Sequence, residues 1–331
     1  MANLPLLPPS ANFWGVFLTP LPAGDYNTWW SSFDFNGNFK PQLDQAITDF
    51  GKGTLVILFG SNITGHTNLA QYIANRKTVW DYCLKIGLRV LTYATGTISD
   101  WIGTITINQA ATVAAADALV CSQYPNHLGY VCMDEVYALS NTNGTLTSQS
   151  TTLYNGAKSL VPSNFPIAVT SNPCGNITNV FEYDGANSSQ ANLDALSSPN
   201  DLNDFLCFNP HAASVSSDLT NLRAAFPNKV IIFGGSNSQT SDGAANTVTT
   251  ALSALIGTNN CKGNAYFCYE DYDVNAYGLY SGPIPTGPRS SRITTIKSNL
   301  KQPVAPIVAV RNSFGSPIAT QIGAFGYTLN S

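Results

Sequence analysis

Two short acidic clusters stand out in a chain that is only 10% charged. "YVCMDEVYA" (130–138) ends an apolar run on adjacent carboxylates, Asp134 and Glu135, and "NAYFCYEDYD" (264–273) sets Glu270, Asp271 and Asp273 just past another. A carboxyl among aromatic rings has its proton affinity raised by burial, so it can keep a proton near neutrality and deliver it. Two carboxyls facing one cleft can divide the work, one as acid and the other as base or nucleophile, which is what cleavage of a glycosidic bond requires. About 5–5.5 Å between such groups suits retention of configuration and ~6.5–9.5 Å inversion. Each cluster also has a plainer explanation. Acids are favoured at helix N-termini by the exposed N–H groups there, and Glu270 could pair with Arg89 or Arg289. After Glu135, however, the polar stretch "VYALSNTNGTLTSQS" delays the next helix by many residues.

Aromatic and polar groups gather near the same run ends. Trp14, Trp29, Trp30, Tyr93, Trp101, Tyr137, Tyr269, Tyr272 and Tyr277 lie at or beyond them. Flat rings can stack on the apolar faces of sugar rings while Asn, Asp and Tyr groups bind hydroxyls. Trp14, inside an apolar run, reads as core. Trp29 and Trp30 read as loop residues free to meet a ligand, with Tyr93, Tyr137, Tyr269 and Asp271 beside them. "CFNPH" adds Asn209 and His211, suited to orienting a substrate, although His211 could equally cap the next helix.

These groups need a scaffold that brings run ends together. Eight short runs, "FWGVFL" (13–18), "TLVILF" (54–59), "LRVLTY" (88–93), "LGYVCM" (128–133), "PIAVT" (166–170), "DFLCF" (204–208), "KVIIF" (229–233) and "NAYFCY" (264–269), start about 25 to 41 residues apart. They are rich in β-branched and aromatic residues and lack polar alternation, the mark of parallel strands covered on both faces. Helix-like patterns lie between them; Pro41 opens the first and Gly87 closes the second, as helix ends prefer. The pattern predicts an α/β fold, a (β/α)8 TIM barrel over 11–302. That fold typically needs ~250 residues and builds its active site at the C-terminal strand ends, where Asp134 and Glu135 fall. An open doubly wound sheet is the competing topology, but "FLTPLPAG" after the first run is no GxGxxG phosphate loop, so no nucleotide and no other cofactor is implied. Residues 1–10 read as an extended arm. Residues 303–331 carry one charge, Arg311, and alternate strand-like runs with Gly and Pro, an extended β segment expected to pack outside the barrel.

Fifteen basic and nineteen acidic residues give a net charge of −4. With no Lys/Arg cluster, nucleic acid is a poor partner. No stretch approaches the roughly 18 apolar residues of a membrane span. The seven cysteines include Cys132, Cys207 and Cys268 within apolar runs, where a free thiol behaves as a small hydrophobe. Cys261 and Cys268 could close a short loop only if Cys268 turned out of the core. His66, His127 and His211 are scattered and no Cys/His cluster has zinc spacing, so no metal is expected. "MANLPLLPPSANFW" lacks a basic leader and is too Pro-rich for a signal peptide. A surface of Asn, Ser, Thr and Gly in place of charges suggests an extracellular or particle-associated setting; the four sequons at Asn62, Asn143, Asn176 and Asn187 matter only if the protein is secreted.

On these residues the chain resembles the glycoside-hydrolase (β/α)8 barrels, whose general acid commonly ends the fourth strand. The Asp134–Glu135 pair is similar to that of family 20 hexosaminidases. The resemblance implies that Asp134 orients a substrate 2-acetamido group, the nucleophile, and that Glu135 protonates the leaving oxygen. "YVCM" stands where that family has His-x-Gly-Gly. "TLVILFGS" and "YFCYEDYD" are faintly similar to the second and eighth strands of family 18 chitinases, but Leu128, Val131 and Met133 occupy the acidic positions of their DxxDxDxE signature. "VIIFGGSNSQ" supplies no Glu after the seventh strand, and the Asn-Glu pair of the largest retaining clan is absent, so the nucleophile is unassigned. The alternative reading is a non-catalytic barrel that binds a glycan, or that self-associates through its terminal segments as a structural protein of a particle or surface layer. Either way carbohydrate is the expected partner.

Overall fold

The computed structural model describes residues 13–18, 26–60, 69–94, 106–133, 145–174, 204–210, 230–237, 239–256, 261–271, 276–299, 307–311 and 317–321. Eight strands, β1 (Phe13–Phe17), β2 (Leu55–Phe59), β3 (Arg89–Tyr93), β4 (His127–Met133), β5 (Ile167–Cys174), β6 (Phe205–Pro210), β7 (Val230–Ser236) and β8 (Cys261–Tyr266), pair in parallel in chain order. β1 also pairs with β8, Trp14 opposite Asn264 and Gly15 opposite Ala265, so the curled sheet closes on itself.

The near-continuous apolar runs are explained by which layer each side chain enters. In β2 and β3, Leu55, Ile57, Phe59, Leu91 and Tyr93 fill the barrel interior together with Phe17, Val131, Ala168, Phe205, Cys207, Ile232 and Ala265. The alternate residues Val56, Leu58 and Val90 pack outward. Both faces are therefore dry, as expected for a parallel sheet sheathed by helices. Where β1 meets β2 the backbones come too close for a side chain: a Cβ at Gly15 would stand 1.9 Å from the Leu55 carbonyl oxygen.

Helices cover the wall. α1 (Tyr26–Ser31), a π-helical turn (Phe35–Phe39) and α2 (Lys40–Phe50) lie between β1 and β2; α3 (Leu69–Ile86) follows β2; α4 (Ile107–Ser122) follows β3; α5 (Thr145–Lys158) follows β4; α6 (Asp242–Leu255) follows β7; and α7 (Ser290–Asn299) follows β8. Their ends follow local chemistry. Pro41 sits in the first turn of α2, and Gly51 (φ 85°) and Gly87 (φ 86°) end α2 and α3 in the left-handed region that glycine occupies without strain. Thr106 and Gln109 form a reciprocal capping box that starts α4. α5 begins at Thr145, and packing of Leu153 and Ala157 against α4 offsets the poor helix propensity of its Thr/Ser-rich first turns. The helix-like pattern after the sixth run, "SSDLTNLRAAF", falls outside the described residues. β9 (Ile307–Arg311) and β10 (Pro317–Gln321) form a separate antiparallel pair.

One boundary matters for the site. The sequence pattern puts the eighth strand at 264–269, but β8 is Cys261–Tyr266. Lys262, Gly263 and Asn264 do not look like strand residues, yet Gly263 and Asn264 pair with both β1 and β7, and Lys262 is carried between Cys261 and Gly263 where the β7 register shifts. Glu270 is therefore four residues beyond the strand's last residue instead of one.

Candidate functional site at the C-terminal strand ends

Aromatic rings close the barrel interior at the end where the strands finish. Phe17, Phe59 and Tyr93 are the last residues of β1, β2 and β3, and Phe267 immediately follows β8. Their rings touch in turn: Phe17 to Phe59 at 4.6 Å, Phe17 to Tyr93 at 5.5 Å, Phe17 to Phe267 at 5.6 Å and Phe59 to Tyr93 at 5.4 Å between centroids. Most contacts are edge-on or tilted, the arrangement ring quadrupoles prefer. Phe17, Phe59 and Tyr93 are buried, whereas Phe267 and Tyr277, 6.4 Å apart, are partly exposed. Tyr93 reaches across the interior, its hydroxyl 2.9 Å from the Cys207 sulfur on β6. Of this set the sequence reading names Tyr93 and Tyr277 and misses Phe17, Phe59 and Phe267. In the structure Phe17 and Phe59 close their strands and Phe267 directly follows one, whereas in the sequence only Phe59 ends its apolar run.

β4 runs to Met133, the residue before Asp134 in sequence, and its C-terminal end shares this mouth. Asp134, Glu135, Tyr137 and His211 lie outside the described residues. Asn209 lies in β6, opposite Pro173 of β5, with its side chain outside the description. After β7, Asn237 turns its amide into α6, donating to the Ala245 carbonyl at 2.6 Å and the Thr249 hydroxyl at 2.9 Å.

The second acidic cluster is placed differently from the expectation. Glu270 is 1% exposed and its carboxyl is met by α2. It accepts from Gln42 Nε2 at 3.0 Å and from the Ile284 backbone N–H at 2.7 Å. Burial pushes its pKa up to about 8, the Ile284 N–H offsetting part of the rise. Neither suggested arginine holds it. Arg289 pairs with Asp271 through two 2.7 Å contacts, and Arg89 donates to the Gly53 carbonyl. Tyr269 is buried as well and donates to Asp49 on α2, with burial first and Asp49 second raising its pKa. The extra residues after β8 account for this: Tyr269 N–H still bonds the Phe17 carbonyl, and the next residue turns back over α2.

Trp29 and Trp30 are corrected too. They form part of helix α1, not a loop, and are 3% and 1% exposed. Trp30 donates its indole N–H to the Phe59 carbonyl and lies under the Arg76 guanidinium at 4.8 Å, while Trp29 stacks on Phe39 at 4.2 Å. Trp14 is core, as read. Cys83, Cys121, Cys132, Cys207, Cys261 and Cys268 are buried free thiols, so Cys261 and Cys268 do not bridge. Among the described residues, no three His, Cys, Asp or Glu side chains gather as metal ligands, and no helix is long and apolar enough to cross a membrane.

No protein-family model and no curated protein matches the chain. Solved structures match it in fold. An exo-β-1,4-mannosidase from Opitutaceae bacterium strain TAV5 superposes with a TM-score of 0.64 at 11% identity, over 89% of this chain and 60% of the mannosidase. A GH5_18 protein from Bifidobacterium longum subsp. longum gives 0.62 at 12% identity, over 93% and 85% of the two chains. A β-glucuronidase from Ruminococcus gnavus gives 0.56 at 8% identity, over 87% of this chain and 50% of the enzyme. The narrower likeness to families 20 and 18 gains no support from them. At these identities the relationship is one of architecture: the chain has the parallel α/β fold of glycoside-hydrolase barrels.

Proposed function

We propose that the chain is a glycoside hydrolase-like barrel, residues 11–302, that takes an oligo- or polysaccharide at the C-terminal ends of its strands. Glu135 is its general acid and Asp134 orients the substrate. The observation that carries this reading is the ring set Phe17, Phe59, Tyr93 and Phe267 at those ends, with Phe267 and Tyr277 partly exposed. Exposed rings over an apolar floor suit the C–H faces of a sugar, and the first acidic pair follows β4 at the same end. Fold likeness to a mannosidase and a glucuronidase supports the substrate class, not a particular sugar.

The test is a screen of aryl-glycosides and of chito-, gluco- and manno-oligosaccharides against wild type and Glu135→Gln. The substitution keeps shape and removes the transferable proton, so turnover of unactivated substrates should fall about 10²–10⁴-fold while binding survives. Aryl-glycosides with good leaving groups should lose much less. Equal cleavage by both proteins would place the acid elsewhere.

Glu270's commitment to α2 favours a second reading, glycan binding without hydrolysis, since the carboxyl expected across the cleft serves another contact. Saturable binding with no cleavage of any substrate would select it.

A further inference from the structure

The segment 276–289, between β8 and α7, is tied to the barrel by contacts that converge on residues 268–271. Leu279 N–H bonds the Cys268 carbonyl, Tyr280 N–H the Tyr269 carbonyl, and Asp271 N–H the Tyr280 carbonyl, at 2.9–3.0 Å. Asp271 accepts from Gly278 N–H at 2.8 Å and pairs with Arg289. α2 forms the other side. Gln42 reaches Glu270, and Asp49 accepts from both Tyr269 and Tyr280 at 2.8 Å. Glu270 joins the two sides, because one carboxyl oxygen takes Gln42 of α2 and the other takes Ile284 N–H of the segment. At its near end the same segment carries Tyr277 to Phe267.

We propose that Glu270 is a positioning residue: its carboxyl latches segment 276–289 to α2 and so holds Tyr277 at the barrel mouth. This rests on the mouth being the glycan site; the latch itself does not.

The latch responds to pH. Among the described residues, the titratable and charged groups around Glu270 are Tyr269 and Cys268 on its own segment, Asp49 of α2 through the two tyrosines, Tyr280, and the Asp271–Arg289 pair. In the closed latch burial holds the carboxyl at about 8, against an ordinary 4.5 once it is exposed. The closed form therefore binds the proton more tightly, its advantage is complete below about pH 4.5, and it weakens as pH rises to about 8, then levels off. Protonated, the carboxyl still accepts from Ile284 N–H and can donate its O–H to the Gln42 side-chain oxygen after that amide turns over.

Hydrogen exchange of the peptide spanning 276–289 in the full chain tests this without any ligand. After correction for intrinsic rates, its protection should fall by up to about tenfold per pH unit between pH 5 and 8 and flatten above. Glu270→Gln, which keeps one acceptor and gains a donor, should remain protected throughout. Gln42→Met, losing one of the two ties, should exchange faster at every pH while the β2 peptide 55–59 stays protected. A wild-type profile flat with pH, or a Glu270→Gln profile that still falls, would overturn the latch. Failure of every glycan to bind would instead remove the reading of the mouth and leave the exchange result standing.

Discussion

Asp117 and Glu270 are equally buried, each 1% exposed behind the barrel wall, and the molecule handles them in opposite ways. Asp117 on α4 meets Arg76 of α3 in a two-pronged pair, Nε to Oδ1 at 3.0 Å and Nη2 to Oδ2 at 2.5 Å. The guanidinium also lies 4.8 Å from the Trp30 ring and 5.2 Å from those of Tyr72 and Trp80. Burial works against the Arg76 charge, but Asp117 outweighs it and the net shift is upward. Among the described residues, Glu270 is met by neutral donors, Gln42 and a backbone amide. One acid is neutralised by a partner's charge, the other by its own proton. The second changes state near neutrality.

The sharpest way to break the comparison is to remove Asp117. Asp117→Asn leaves Arg76 buried without its counter-charge, which typically costs about 3–5 kcal/mol. Urea denaturation should show the midpoint falling with the slope unchanged. A loss below about 1 kcal/mol would mean that the three rings alone can hold the cation.

A second effect, spread over several pH units, separates the two acids by pH. Wild-type stability should fall between pH 5 and 8 by at most about 1.4 kcal/mol per unit from Glu270, whose folded pKa is raised from 4.5 to about 8. Glu270→Gln should remove that slope and leave the variant more stable than wild type at pH 8. Melts of both proteins at pH 5.5, 7 and 8.5 check it; parallel curves would show that Glu270 is charged at little cost. His127 acts on the acid side. It is buried, with its pKa depressed first by burial and then by Arg76, so its contribution is present above about pH 6.5 and lost below.

The contrast also shows what the sequence could reveal. The strands were legible because burial on both faces writes an uninterrupted apolar run, and Leu55–Phe59 and Arg89–Tyr93 fall within one residue of the expected spans. Pro41, Gly51 and Gly87 mark helix ends by backbone chemistry that does not depend on tertiary contacts. β8 was misread because Gly263 and Asn264 are held by two neighbouring strands, a long-range cause with no local trace. That slip moved Glu270 from the expected mouth to the outer wall. The Asp117–Arg76 pair was invisible for the same reason, being a contact between helices 41 residues apart in sequence. Trp29 and Trp30 sit in a six-residue helix too short for periodicity to show.

The smallest effect asks whether Asp117's worth belongs to the ion pair or to the helix that carries it. α4 is Ala-rich, "INQAATVAAADALVCS", and begins with the exposed capping box of Thr106 and Gln109. Ala at the cap would lose the acceptor for Gln109 N–H, and such losses cost about 1 kcal/mol. Thr106 lies eleven positions before Asp117, roughly three helical turns or ~16 Å, and shares no partner with Arg76. Thr106→Ala should therefore lower stability by about 1 kcal/mol at every pH between 5 and 9, since no titrating group is touched. Combined with Asp117→Asn, the two losses should add to within about 0.5 kcal/mol. A double variant much less destabilised than that sum would mean that Asp117→Asn already frays α4 from its N-terminus. The buried pair would then be holding the helix in place, and its apparent energy would be shared with helix formation.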